Sequence, residues 1–417
     1  MGKVRKKPPA RLVDLPAEIG DFANWTALAQ LEVVQALSER KLGRKRRPSK
    51  ASGDVLVIRS HLRPLDIYAY LKARFGPPNG FLTMIKDQED SDNWAHWDYV
   101  IQAGQYQVAF VGTTRDVHVS VQARLSDAGW KALIVGLKGE FARLGREKSE
   151  VVRSLEKWTI FQNKYGNIAD LCADLHQRLS DADKVSDFDE YVYPKYKSKR
   201  TLGRLQSARK VAATIYQDCL VLSMATPVYA EAAINMMIQI AAKPALRTDE
   251  DALESFIRLP MPDKLERLSE AVDGLLEDPR AFGETYDGFM RVWSKRNDRL
   301  HGNLHPKTDY VEVVYFDDKT PLFAEGGDNV GRFIESLHRV HQPDQVIADY
   351  EAATLFVISL MAAFTPPTRF AFDQIMNDPY PGYDAKRRIF GKLFPNHAVQ
   401  AYFEGMRTDD ELRVSWD

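Results

Sequence analysis

The spacing of apolar residues changes period along this chain, and that change limits the folds open to it. Between 97 and 123 the pattern is that of strands. Trp97–Gln102 and Gln105–Gly112 flank Ala103-Gly104 as a hairpin, and Val117, Val119 and Val121 alternate in a third strand of the same meander. Asp54–Ile58 and 81–85 read as further strands, and 65–75 as a helix that ends at Gly76-Pro77-Pro78. From 202 onward apolar residues recur every three or four positions, the spacing of amphipathic helices. The expected fold class is therefore an α+β N-terminal domain, a small antiparallel sheet with helices, followed by an all-α bundle with a β-hairpin insertion.

The helices expected from this spacing cover 22–38, 126–158, 205–224, 228–242, 249–258, 263–275, 282–302 and 346–364. Pro227 is expected to separate the third from the fourth, and Thr365-Pro366-Pro367 to end or kink the last. Ser126 and Asp127 are the caps of the second. The stretch 310–324, with Asp317-Asp318-Lys319-Thr320 between two apolar runs, reads as the inserted hairpin. Charge marks the divisions. Residues 1–53 are a basic N-terminal segment and linker that includes RKLGRKRRPSKASG, and 54–180 form the α+β domain. An acidic stretch (DADKVSDFDE) then gives way abruptly to a basic one (KYKSKRTLGRLQSARK), which makes 181–200 a charged linker. Residues 201–375 form the helical domain and 376–417 a C-terminal extension.

Composition excludes several classes of protein. The 417 residues carry 57 Lys+Arg against 58 Asp+Glu, a net charge of -1, so the chain is neither polybasic nor an acidic disordered protein. Two cysteines, Cys172 and Cys219, give no disulfide framework and no cysteine-rich zinc module. The longest apolar run, 352–364, stops short of the roughly 18–20 residues of a membrane span. The basic start (Lys3, Arg5, Lys6, Lys7) has no apolar stretch behind it, so it does not read as a signal peptide. These features point to a cytoplasmic protein with no membrane partner. No nucleotide-binding glycine loop, zinc-protease helix or nucleophile elbow occurs. His338 and His341 stand three apart on a helix, a spacing more often solvent-facing than metal-binding. No metal and no cofactor is expected. Trp94, Trp97 and Tyr99 cluster near a strand, where core packing is the better reading than ligand stacking.

One constellation carries chemistry. In YDGFMRVWSKRNDRLHGN, residues 286–303, Tyr286, Phe289, Met290, Trp293 and Leu300 form one apolar stripe. Asn297 falls on that stripe, where an amide is costly unless paired. Asn297 and His301 are four apart on one face, Arg296 is adjacent, and Gly302 fits a helix stop. The negative helix end favours a protonated imidazole at His301. An imidazole, a guanidinium and an amide gather there, with Lys295 and Arg299 close by. Arg grips a phosphoryl group bidentately and His moves a proton near neutral pH.

Arg296-Asn297-x-x-x-His301 resembles the R-polar-x-x-x-H motif of the HEPN superfamily, with the resemblance extending over about 200–375. It implies a metal-independent endoribonuclease of the toxin or defence-effector type, acting as a homodimer whose two motifs face each other. Arg296, Asn297 and His301 would be catalytic. Lys295 and Arg299 would bind RNA, as would Lys199 and Arg200 in the basic run. RNA is the implied partner, with a regulatory or trigger protein and a restraining role for the N-terminal domain added from the logic that a toxic nuclease needs control. HEPN folds also include non-catalytic modules that bind nucleic acid or protein, and that alternative stays open on the sequence.

Overall fold

The computed structural model describes residues 12–29, 53–80, 93, 95–182, 199–296, 310, 312–324, 326, 338–395 and 406–416. It divides into two compact units, Met1–Lys157 with Phe394–Asp417, and Trp158–Leu393. The fold is mixed α and β, and its main sheet is largely antiparallel.

The first unit comprises α1 (Ala17–Gly20), β1 (Thr26–Ala27), β2 (Asp54–Ile58), α2 (Pro64–Phe75), β3 (Trp97–Ala103), β4 (Tyr106–Gly112), β5 (Val117–Val121), α3 (Asp127–Arg143) and α4 (Gly145–Ser154). Its sheet runs β1-β3-β4-β5-β2 with a last strand, Arg407–Thr408, laid parallel to β2; every other pairing is antiparallel. The alternation seen in sequence sets the register. Tyr99, Phe110, Val119 and Leu56 lie side by side across four strands, as do Ile101, Val108 and Val121, and all are buried. Gly104, at φ +58, makes the two-residue β3–β4 turn. Trp130, Leu133, Ile134 and Leu137 of α3 pack into the same core as this sheet face. The Ser126 side chain accepts from the Gly129 amide at 3.1 Å and so caps α3.

Two expectations fail in this unit. Residues 22–29 of the expected 22–38 helix are not α-helical: Phe22–Asn24 is a single 3-10 turn, Trp25 is extended, and Thr26–Ala27 pairs with β3, while 30–38 lie outside the described residues. Trp25 is buried with Phe22 and Phe110 around it, and this packing overrides the helical spacing. The helix beginning at 127 does not reach Trp158. It breaks at Leu144 and ends at Ser154, and Trp158 instead opens a strand. Residues 81–85, read as a strand, lie outside the described residues.

The second unit contains β6 (Trp158–Ile160), α5 (Lys164–Ala182), α6 (Lys199–Ala241), α7 (Pro244–Thr248), α8 (Glu250–Ile257), α9 (Met261–Glu266), α10 (Leu268–Ala271), α11 (Glu284–Ser294), β7 (Val314–Asp317), β8 (Thr320–Phe323), α12 (Pro343–Ala362), α13 (Pro366–Met376), β9 (Gly382–Asp384) and β10 (Ile389–Gly391). Helices α5, α6, α11 and α12 share one core, to which Cys172, Tyr229, Ala233, Phe289, Phe356 and Leu360 contribute. Burial pushes the Cys172 thiol up to about 12 and the Cys219 thiol up to about 11, so both are inert core residues. β7 and β8 form the expected hairpin, with Asp318 at φ +54 in its turn. β9 joins β6 and β10 in a three-stranded antiparallel sheet.

Phe289 of α11 stacks on Phe356 of α12 with ring centres 4.3 Å apart and planes 3° from parallel. Both rings are fully buried. Phe289→Ala is expected to destabilise this unit by about 3–5 kcal/mol through lost burial and the cavity left behind. A denaturant midpoint followed by far-UV circular dichroism reads this directly; an unchanged midpoint would place the ring outside the core.

Here too the helices differ from the reading in specific ways. α6 runs unbroken through Pro227. A proline removes one backbone hydrogen bond. The flanks on both sides, Leu222 before it and Tyr229, Ile234 and Ile238 after it, are buried in one core, and that burial carries the helix past the defect. The helix expected over 263–275 is two short ones that stop at Ala271, followed by Gly274 at φ +81. A Cβ at Gly274 would come within 3 Å of the Thr365 and Thr368 hydroxyls, so the chain turns sharply there. α5, placed with the N-terminal half by the sequence reading, buries Cys172, Leu175 and Leu179 in the core that α6 also builds, so it belongs to the second unit. Ala213–Ala241 and His338–Ala362 are long and apolar enough to cross a bilayer by length and composition alone, although no uninterrupted apolar run in the sequence is that long. Their buried residues are part of this same core.

Candidate functional site

Helix α11 begins after Gly283, at φ +58, and its amphipathic stripe is seated as the spacing predicts. Phe289 is buried, and Tyr286, Met290 and Trp293 pack against the core beside it. Regular helix ends at Ser294, with Lys295 as the C-cap. Arg296 follows that cap and is itself helical again. Asn297, Arg299, Leu300, His301 and Gly302 lie outside the described residues.

Arg296 is held from two sides. Its Nη2 donates to Glu231 Oε2 at 3.1 Å, and its guanidinium lies 4.7 Å from the centre of the Trp293 ring. The side chain keeps 31% exposure, while Nε is buried and has no hydrogen-bond acceptor among the described residues. Glu231 stands on α6, whose turns here pack on α5 and α12. The result is a guanidinium of fixed orientation with one edge satisfied and another edge unfilled.

Next to this pair is a group the sequence reading did not single out. Lys264 of α9 is fully buried, and its Nζ donates to Asn235 Oδ1 at 2.7 Å. Asn235 is one turn beyond Glu231 on α6, so both face the same way. Burial pushes the Lys264 ammonium below the usual lysine range; the Glu231 carboxylate opposes that shift and the Arg296 charge adds to it. Two cations and one carboxylate thus share a partly desolvated corner between α6, α9 and the end of α11.

The other predicted residues are placed differently. The Lys295 ammonium is 3.6 Å from Asp349 Oδ2 on α12, and Gln345 Nε2 donates to the other oxygen of that buried carboxylate at 2.8 Å. Lys295 is thus tied to α12 by an ion pair. Lys199 and Arg200 begin α6. At about 1.5 Å per residue they stand roughly 45–48 Å along the helix axis from Glu231, so the structure does not bring them to Arg296. Neither of their side chains is among those described.

Of the remaining candidates, Tyr99 is buried and donates to the Gly76 carbonyl at 2.8 Å, and Trp97 lies 5.5 Å from Tyr68. Both are packing residues; Trp94 lies outside the described residues. His341 stacks on Tyr216 at 5.2 Å, and burial lowers its basicity. No cluster of three or more metal-binding side chains occurs among the described residues.

Glu231 and Lys264 were invisible to pattern reading for a simple reason. Glu231 lies among alanines and Lys264 in an ordinary MPDKLERL stretch, where a charged residue defaults to a solvent face. No protein-family model, curated protein or solved structure matches the chain.

Proposed function

We propose that this protein is a metal-independent endoribonuclease of the HEPN type, with Arg296, Asn297 and His301 as its catalytic group. The observation that supports it is the seating of Arg296. A guanidinium fixed by Glu231 and Trp293, with part of its edge still exposed, is preorganised to meet an anion five residues before a histidine. In this reading the RNA 2′-OH attacks the adjacent phosphorus, a new P–O bond forms, and the bond to the 5′-oxygen breaks. His301 takes the proton from the 2′-OH or gives one to the leaving 5′-oxygen. Arg296 stabilises the charge on the non-bridging oxygens, and Asn297 orients the imidazole or a phosphate oxygen. A two-fold dimer supplies a second His301, so that base and acid come from different copies. The setting is cytoplasmic, and the biological role is that of a toxin or effector of prokaryotic anti-phage defence under the control of a regulatory partner.

A second reading has its own support. The carboxylate of Glu231 offsets much of the Arg296 charge, as it would in a structural clasp between α6 and α11. A non-catalytic binding module of the same fold fits that pairing. Substrate choice separates the two. A ribonuclease acting through the 2′-OH cleaves single-stranded RNA and leaves the DNA of the same sequence intact. Binding of both without cleavage of either would favour the binding module.

A further inference from the structure

Lys264 is the feature of this corner that the proposed chemistry leaves unused. A lysine with no exposed surface is uncommon, because taking an ammonium out of water costs several kcal/mol unless it is well paired. Here the pairing is thin. Of three N–H donors, one meets an acceptor among the described residues, Asn235 Oδ1 at 2.7 Å. The carboxylate that acts on it electrostatically, Glu231, is already the hydrogen-bond partner of Arg296. If Lys264 served only to fill space, methionine would do so without the desolvation penalty.

We infer that Lys264 is a positioning residue for Arg296. It shares the Glu231 carboxylate electrostatically, so that the three groups together keep one net positive charge, which a phosphate group at the exposed edge of Arg296 takes up. The inference rests on the reading of Arg296 as a phosphate-contacting residue, and it goes further by naming what keeps that arginine from being neutralised. Without Lys264, one carboxylate faces one guanidinium and the corner is electrically closed. With it, the carboxylate answers two cations, and the positive charge left over favours an oxyanion arriving at the exposed edge of Arg296. Glu231 and Asn235 on α6 hold the two cations in place, one turn apart. The interaction between charges in such a partly desolvated site is large enough to change anion affinity by about tenfold.

The test uses inorganic phosphate as the probe and the full-length protein, with affinity read by titration calorimetry at constant ionic strength. Two substitutions are expected to act in opposite directions. Lys264→Met keeps the volume and removes the charge; phosphate affinity should fall roughly tenfold while thermal stability holds or rises. Glu231→Gln keeps an acceptor for Arg296 and removes the negative charge; phosphate affinity should rise by a similar factor. A merely structural lysine would leave phosphate affinity unchanged in Lys264→Met whatever its effect on stability, which overturns the inference. So does a Glu231→Gln protein that binds phosphate more weakly, an arm that stands even if Lys264→Met fails to fold. The outcome is separable from the nuclease reading: opposed affinity shifts in a protein that cleaves no RNA uphold this inference and defeat that reading, and RNA cleavage with unshifted affinities does the reverse.

Discussion

His301→Ala is expected to reduce RNA cleavage by about 10²–10⁴-fold, the range for losing a positioned proton-transfer group. Arg296→Ala should cost about 10²–10³-fold through lost stabilisation of the phosphorane oxygens. The two effects should be far from additive, since both residues act on one transition state. Arg296→Lys is expected to rescue little. Lysine keeps the charge but lacks the planar fork that donates to Glu231 while stacking on Trp293. None of these changes should unfold the protein. Arg296 is about a third exposed, and ion pairs of that kind contribute no more than about 1 kcal/mol. Single-turnover cleavage of a labelled RNA, with circular dichroism as the control for folding, measures both halves of this expectation. A fully active Arg296→Ala protein would assign the Glu231 pairing to structure alone.

The second large effect lies in the first unit. Asp409 is fully buried and follows the last strand, Arg407–Thr408. Its carboxylate accepts from the backbone amides of Arg59 at 3.1 Å, Ser60 at 3.2 Å and His61 at 2.7 Å, and lies 3.0 Å from His61 Nδ1. The His61 ring stacks on Trp416 at 3.5 Å, and Arg59 forms a two-pronged ion pair with Asp410. One carboxylate therefore satisfies the turn after β2 and anchors the C-terminal segment to it. Asp409→Ala leaves three amides short of an acceptor, each costing about 1–3 kcal/mol where water cannot reach. With partial access for water the expected loss is about 3–5 kcal/mol. Asp409→Asn retains one acceptor oxygen and should lose less. Hydrogen exchange of the β2 amides and of residues 59–61 reports the change locally; wild-type protection in Asp409→Ala would show that the segment is held by β-pairing alone.

These two sites also show what pattern reading can and cannot reach. The β3–β4 hairpin, the Ser126 cap and the stripe of α11 follow from local rules: alternation, a side-chain oxygen three residues before an unpaired amide, and three-and-four spacing. Each was legible because the residues that decide it are neighbours in sequence. The unbroken α6 was not legible, because what carries it past Pro227 is burial on both sides by helices distant in the chain. Nor was the 3-10 turn at Phe22, where Trp25 answers to Phe110 rather than to its own neighbours. The stretch 376–417 read as an extension, yet its end returns some 350 residues back to pair with β2. A local sign did exist in Thr408-Asp409-Asp410-Glu411, the sequence of a capping box, which the structure forms. In the candidate site, Arg296 was legible by motif. Glu231 and Lys264 were not, since their meaning comes only from being packed against it.

Cleavage of RNA by 2′-OH attack, carried out by side chains of this chain alone, has a product signature of its own. Incubating the full-length protein and its His301→Ala variant with a defined RNA in EDTA, then identifying the product ends, tests it most directly. Fragments ending in 2′,3′-cyclic phosphate are expected from the unaltered protein and almost none from the variant. Cleavage that EDTA abolishes, or that proceeds at the same rate in His301→Ala, would contradict it.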